Sequence, residues 1–417
     1  MDAFQPRYPR LLAGAIRTAL ADTPVVCLLG PRQCGKSTLA MDLEPGRGYL
    51  TLDEDRIRRI ATEDPDGFVA RLPARVTLDE VQRAPGLLTA VKLAVDRDRR
   101  PGRFLLTGSA NLLMLPHVSE SLAGRMEILN LQPLAEAEKH RNGGDFLRAF
   151  LAGELRWETL LRDGNGFLSP DLPVKLVAGG YPEPLTRDAA RARQWHRQYV
   201  KSIIERDVRD IAKVKDGQEL GRLLALMALR TGTLLNASGL SKDLGLHRAT
   251  VDHYLEVLER LLLIRPLPGW HGNMAKRLVK SPKIHFVDSG LAATLADLSA
   301  TDWMERRQDM GRLLESFVVQ QIHAQATWTD PDLRFWHYRD KDQVEVDLVI
   351  TRGSATWGIE VKASRSVGRG DGKGLDRLAA QCGKEFRGGC VLYDGDEILP
   401  IPGSPHVAVP LSKLWTL

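Results

Sequence analysis

VVCLLGPRQCGKSTLAMDL, residues 25–43, decides the fold. Gly30 is followed by four residues and then by Gly35-Lys36-Ser37, which completes a phosphate-loop pattern. The flanks agree with it. Val25-Val26-Cys27-Leu28-Leu29 reads as a buried strand, and Ser37-Thr38-Leu39-Ala40 as the start of a helix. Glycines let backbone N–H groups wrap phosphate oxygens at a helix N-terminus. Gly30, Pro31, Arg32, Gln33, Cys34, Gly35, Lys36, Ser37 and Thr38 are therefore expected to cradle ATP. Lys36 would reach the β- and γ-phosphates, and Ser37 would ligate Mg²⁺.

Two further strand ends point to the same crevice. ARVTLDEVQ, residues 74–82, places Asp79 and Glu80 after an apolar run. Asp79 suits the Mg²⁺ shell, and Glu80 suits a general base for the attacking water. The plainer alternative is a helix cap at a strand–helix turn. RFLLTGS, residues 103–109, ends in small polar residues, and Thr107 or Ser109 is placed to sense the γ-phosphate. Arg125, in SLAGR, is a candidate for stabilising the transferring phosphoryl, within the chain or across a subunit boundary. A solvated arginine is the alternative.

The middle of the chain is helical. GGYPEPL, residues 179–185, is a turn signal. RARQWHRQYVKSIIERDVRDI reads as an arginine-rich helix, with Arg206 and Arg209 as candidate phosphate contacts. ELGRLLALMALRTG is an amphipathic helix. A second helix starts at Asn236-Ala237-Ser238, Gly245 turns, and HRATVDHYLEVLERLLLIRPL is a third helix running into a strand. That order is a helix-turn-helix with a wing. Arg248 and Thr250 fall near the start of its third helix, where DNA contacts usually occur. Such a unit also serves for packing alone.

Near the C-terminus, GRLLESFVVQQIHAQ reads as a helix carrying Glu315. QVEVDLVI reads as a strand with Glu345 and Asp347 on one face, and WGIEVKAS as the next strand, with Glu360 and Lys362 on one face. These types suit a metal-dependent nuclease core. Asp347 and Glu360 can share Mg²⁺, and Lys362 can orient or deprotonate its water. By itself, Glu-x-Lys also marks a solvated edge strand.

Taken in order, LLGPRQCGKSTL, VTLDEVQR, FLLTGSANLL, SLAGR, GGYPEPL, KSPKIHFVDSGLAATL, GRLLESFVV, EVDLVI and IEVKAS span most of the chain. The chain resembles the bacterial and archaeal AAA-type ATPases that carry a C-terminal DUF4143 domain. The resemblance implies an α/β chain with a P-loop AAA-type ATPase domain, a winged helix and a restriction-endonuclease-like C-terminal domain. It assigns Lys36, Ser37, Asp79 and Glu80 to nucleotide hydrolysis and Asp347, Glu360 and Lys362 to the nuclease-like set. Cys34, where an aliphatic residue is usual, and Ser37, where Thr is common, depart from the pattern. Expected boundaries are 1–165 for the ATPase, 166–216 for a helical lid or linker, 217–285 for the winged helix and 286–417 for the nuclease-like domain.

Composition sets outer bounds. The 417 residues carry a formal charge of +5, which permits nucleic acid without demanding it. No apolar run has the length of a membrane span. The four cysteines form no close CxxC pair, so a cytoplasmic chain with reduced thiols is expected. The leading expectation is an ATP-hydrolysing protein that binds DNA, at branched or broken ends, with ATP and Mg²⁺ as cofactors and a homo-oligomer as one arrangement. The rival is a nucleotide-driven switch acting on a protein partner, with an inactive nuclease-like domain. Glu80 disfavours a small-molecule kinase.

Overall fold

The computed structural model describes residues 8–109, 124–155, 171–211, 217–272 and 281–417, without the side chains of Ser109 and of residues 206–211. By contacts the chain forms two units. One comprises residues 10–133 with 260–263, and the other the remainder.

The first unit is a five-stranded parallel sheet, β1 (Val25–Gly30), β2 (Gly48–Thr51), β3 (Val76–Asp79), β4 (Phe104–Ser109) and β5 (Met126–Asn130), in the order β2-β3-β4-β1-β5. Every residue of β1 is buried. That fits a central parallel strand covered on both faces. Alternate residues serve two cores. Val25, Cys27 and Leu29 pack with residues such as Leu78, Leu88 and Val91. Val26 and Leu28 pack with Leu12, Ile16 and Leu20 of α1 (Leu12–Asp22) and Leu39 of α2 (Lys36–Asp42). In α1 the buried positions 12, 16, 19 and 20 follow helical spacing.

The second unit holds two sheets. β6 (Thr233–Leu234), β7 (Ile264–Leu267) and β8 (Lys283–Phe286) pair antiparallel in the order β6-β8-β7. Helices Ala237–Leu244 and Arg248–Arg260 lie between β6 and β7 in sequence. Asn236 caps the first by accepting from Gly239 N, and Gly245, at φ 67°, ends it. A left-handed backbone of that kind favours glycine. The other sheet has the order β13-β14-β12-β11-β10-β9, comprising β9 (Arg334–Arg339), β10 (Glu345–Arg352), β11 (Ala355–Lys362), β12 (Phe386–Tyr393), β13 (Leu399–Pro400) and β14 (Val407–Pro410). β9, β10 and β11 form an antiparallel meander, and β11, β12 and β14 run parallel.

Helix Arg307–Thr329 is buried on nearly all sides, including Gln320, Gln321 and Gln325. Buried amides need partners. Gln321 Oε1 accepts from Glu136 N at 2.7 Å, Gln325 Oε1 from Leu147 N at 2.8 Å, and Gln325 Nε2 donates to Leu414 O at 2.8 Å. Residues 134–155, expected within the segment 1–165, thus hydrogen-bond into the second unit. No helix among the described residues is long and apolar enough to cross a membrane.

Candidate active sites

The phosphate loop links β1 to α2. Gly35 has φ 99°, a backbone that disfavours a side chain, and Gln33 has φ 59°. A Cβ on Gly30 would collide with Leu131 O. Glycine is thus required twice, once for conformation and once for space. Lys36 is buried at 4% exposure, and its Nζ donates to Gly30 O at 3.0 Å and Pro31 O at 2.8 Å. Arg10 supports the loop from outside. It donates to Cys34 O at 2.7 Å and to Gln132 O at 2.6 Å. Cys34 is fully buried, with Sγ 3.7 Å from Leu131 O.

The sheet order puts β4 between β1 and β3, so Thr107 stands between the loop and the acidic strand end. Asp79 is ringed by hydroxyls. Ser37 Oγ lies 3.0 and 3.1 Å from its two oxygens, Tyr49 OH donates to Oδ2 at 2.8 Å, and Thr107 Oγ1 donates to Oδ1. Burial and the Asp79 carboxylate push the Tyr49 phenol up. Thr107 Oγ1 also accepts from Glu80 N at 3.3 Å. Glu80 has φ 58°, unusual for a non-glycine residue, and its carboxylate accepts from Gln82. The residues fit a nucleotide with Mg²⁺. The loop has a glycine-required cradle, and Ser37 is paired with a carboxylate whose partners are neutral.

Arg125 precedes β5, whose Met126 is opposite Val25, whereas the loop follows Gly30 at the other end of β1. Five residues of strand, at about 3.3 Å each, put roughly 16 Å of sheet between them. Arg125 Nε pairs with Asp96 at 2.6 Å. Arg206 and Arg209 lie outside the described side chains.

In the second unit, Arg248 is exposed and engaged. Its Nε lies 2.9 Å from both Asp252 oxygens, and Nη1 donates to Ser238 Oγ at 2.7 Å. Thr250 is half-buried. The exposed positions of helix Arg248–Arg260 include Asp252, Glu256 and Glu259 beside Arg248 and Arg260.

The C-terminal constellation comes together, with one addition. Leu348 pairs with Ile359 across β10 and β11, so Asp347 stands beside Glu360, and Asp347 Oδ2 accepts from Val361 N at 3.0 Å. Lys362 Nζ pairs with Glu360 Oε1 at 2.8 Å. Glu315 also faces this place. At its centre sits the ammonium of Lys283, on β8, at 2.7 Å from Glu315 Oε1, 3.2 Å from Asp347 Oδ1 and 3.4 Å from Glu345 Oε2. Burial would lower the Lys283 pKa, but Asp347, Glu315 and Glu345 outweigh it and hold it above the ordinary lysine value. Burial, with the Asp347 charge added, pushes Glu315 and Glu360 each up to about 8.

This donor set does not fit a resident divalent ion at Asp347 and Glu360. Both Asp347 oxygens are engaged, one by an ammonium. Two unit charges 4 Å apart interact by about 4 kcal/mol at an effective dielectric of 20, and a divalent ion doubles that repulsion from Lys283. Of the four Asp347 and Glu360 oxygens, only Glu360 Oε2 is without a partner among the described residues. Among the described residues, no three His, Cys, Asp or Glu side chains are arranged to hold a metal.

Sequence reasoning passed over Lys283, Tyr49 and Arg10. A signal existed for Lys283. In KIHF, Lys283 and His285 share one face of a short strand, as Glu345 and Asp347 do in EVDLVI.

Residues 22–139 match an AAA domain family (AAA_14), residues 170–302 a domain of unknown function (DUF8612), and residues 310–414 the domain of unknown function DUF4143. Uncharacterized proteins of Mycobacterium tuberculosis and Mycobacterium bovis are each 28% identical over 408 residues, covering 97% of this chain and 84% of the relative. A Walker-type ATPase of Pyrococcus abyssi is similar at 16% identity, covering 68% of this chain and 94% of that one, with a TM-score of 0.40. The chain thus carries an AAA-type ATPase domain followed by a DUF4143 domain.

Proposed function

We propose that the protein binds and hydrolyses ATP, and that its nucleotide state governs what the second unit binds. The ring of hydroxyls on Asp79 carries this reading. Ser37, Tyr49 and Thr107 all meet Asp79 through neutral hydroxyls, so among the described residues no cationic side chain occupies it. Among the described residues, Lys36 meets only the backbone carbonyl oxygens of Gly30 and Pro31, which phosphate oxygens would displace. Ser37 and Asp79 would hold Mg²⁺, which when bound neutralises phosphate charge. Glu80, one residue on, takes the proton of the attacking water. Arg125 would act only on a second copy's nucleotide, given its distance from its own loop. Glu80→Gln should keep ATP binding and lower turnover by about 10²-fold or more, measured by nucleotide titration and phosphate release. Wild-type turnover in that variant would remove Glu80 as the base.

DNA is the partner supported by the helix-turn-helix order, followed by β7 and β8 with β6 pairing beside β8, which is a winged-helix arrangement. A second reading, a protein partner, is favoured by the exposed face of helix Arg248–Arg260, where acidic residues outnumber basic ones. Phosphate contacts strengthen steeply at low salt. Binding of linear or forked DNA at low salt, weakened by Arg248→Ala, would select DNA. No binding in either nucleotide state would select the protein partner.

A further inference from the structure

We infer that Lys283 is the built-in cation of the C-terminal acidic centre, and that this centre is a metal-free ionic joint with a latent divalent site beneath the lysine. The geometry is that of a filled position. An ammonium has three N–H donors, and Lys283 faces three carboxyl groups, donating to Glu315 and Asp347 at 2.7 and 3.2 Å, with Glu345 at 3.4 Å. These come from different elements, helix Arg307–Thr329 and β10, so one side chain from β8 draws them together. Nuclease-like cores gather carboxylates in this way around Mg²⁺. Here the charge that would attract the ion is answered from within the protein, at 4% exposure.

The same contact joins the two sheets of the second unit. β8 belongs to the three-stranded sheet and Asp347 to the six-stranded one. A second tie runs beside it. His337 N on β9 donates to Pro268 O at 2.9 Å, and Trp270 N donates to His337 O at 2.6 Å. Lys283 thus fixes the β7–β8 pair onto the nuclease-like sheet. The second carboxylate–lysine pair, Glu360 with Lys362 at 2.8 Å, closes the other side of the centre.

The inference is independent of ATP hydrolysis and is tested without it. Mn²⁺ binding to the full chain, free of nucleotide, is counted by electron paramagnetic resonance in wild type, Asp347→Asn, Lys283→Gln and the double variant. Any weak binding at the phosphate loop is common to all four. The expected result is equal Mn²⁺ binding by wild type and Asp347→Asn, one additional ion in Lys283→Gln, and loss of that ion in the double variant. An ion bound by wild type and lost in Asp347→Asn would overturn the inference. So would a folded Lys283→Gln protein that gains nothing. If Lys283→Gln does not fold, wild type against Asp347→Asn still decides.

Discussion

Lys36 and Lys283 are both buried, each at 4% exposure, and they do opposite things. Lys36 meets Gly30 O and Pro31 O, which are neutral. Its charge remains uncompensated by its partners and available to an anion. Lys283 meets Glu315, Asp347 and Glu345, and its charge is already matched. The carboxylates mirror this. Asp79 is held by neutral hydroxyls, whereas Asp347 has an ammonium on one oxygen. A buried charge with neutral partners is an open site, and one with charged partners is a joint.

Exchanging either lysine gives the largest effects and the sharpest contrast. Lys36→Ala should abolish ATP binding, read by nucleotide titration. Lys283→Ala should instead lower stability by about 3–5 kcal/mol, read by denaturant unfolding, because it strands buried carboxylates without their cation. A Lys283→Ala protein as stable as wild type would break the comparison.

A smaller effect tests the hydroxyl ring. Tyr49→Phe removes one hydrogen bond to Asp79, and bonds to charged groups contribute about 1.5–3 kcal/mol. The Mg²⁺ concentration for half-maximal turnover should rise about tenfold. No change would mean Tyr49 is structural only.

The last test is a slope. Glu315 and Glu360 are raised to about 8, so the folded chain holds protons that the unfolded chain has released. Their contribution is full below the unfolded carboxyl value of about 4.3 and is lost as pH rises through about 8. Thermal midpoints should therefore fall between pH 5 and 8, and Glu315→Gln should flatten the fall. A midpoint rising over that range would reverse the assignment.

Local pattern made much of this legible. The phosphate loop reads from spacing alone, because its glycines are demanded by the backbone at Gly35 and by the approach of Leu131 to Gly30. Asp347 beside Glu360, and Glu360 beside Lys362, follow from strand alternation and hairpin pairing. Segment boundaries were less legible. Residues 134–155 join the second unit through Gln321 and Gln325, glutamines far away in sequence.

The sequence by itself determined an ATP-type phosphate loop, an acidic strand end and a strand pair bearing an acid–base set. Each is a property of neighbouring residues and of one element's period. Only the tertiary structure decided that Thr107 lies between loop and acid, that Arg125 stands at the far end of the sheet, and that Lys283 fills the acidic centre. Those facts depend on strand order and on side chains up to 64 positions apart meeting in space. Periodicity tells which face a residue takes, but not what the opposite element brings to it.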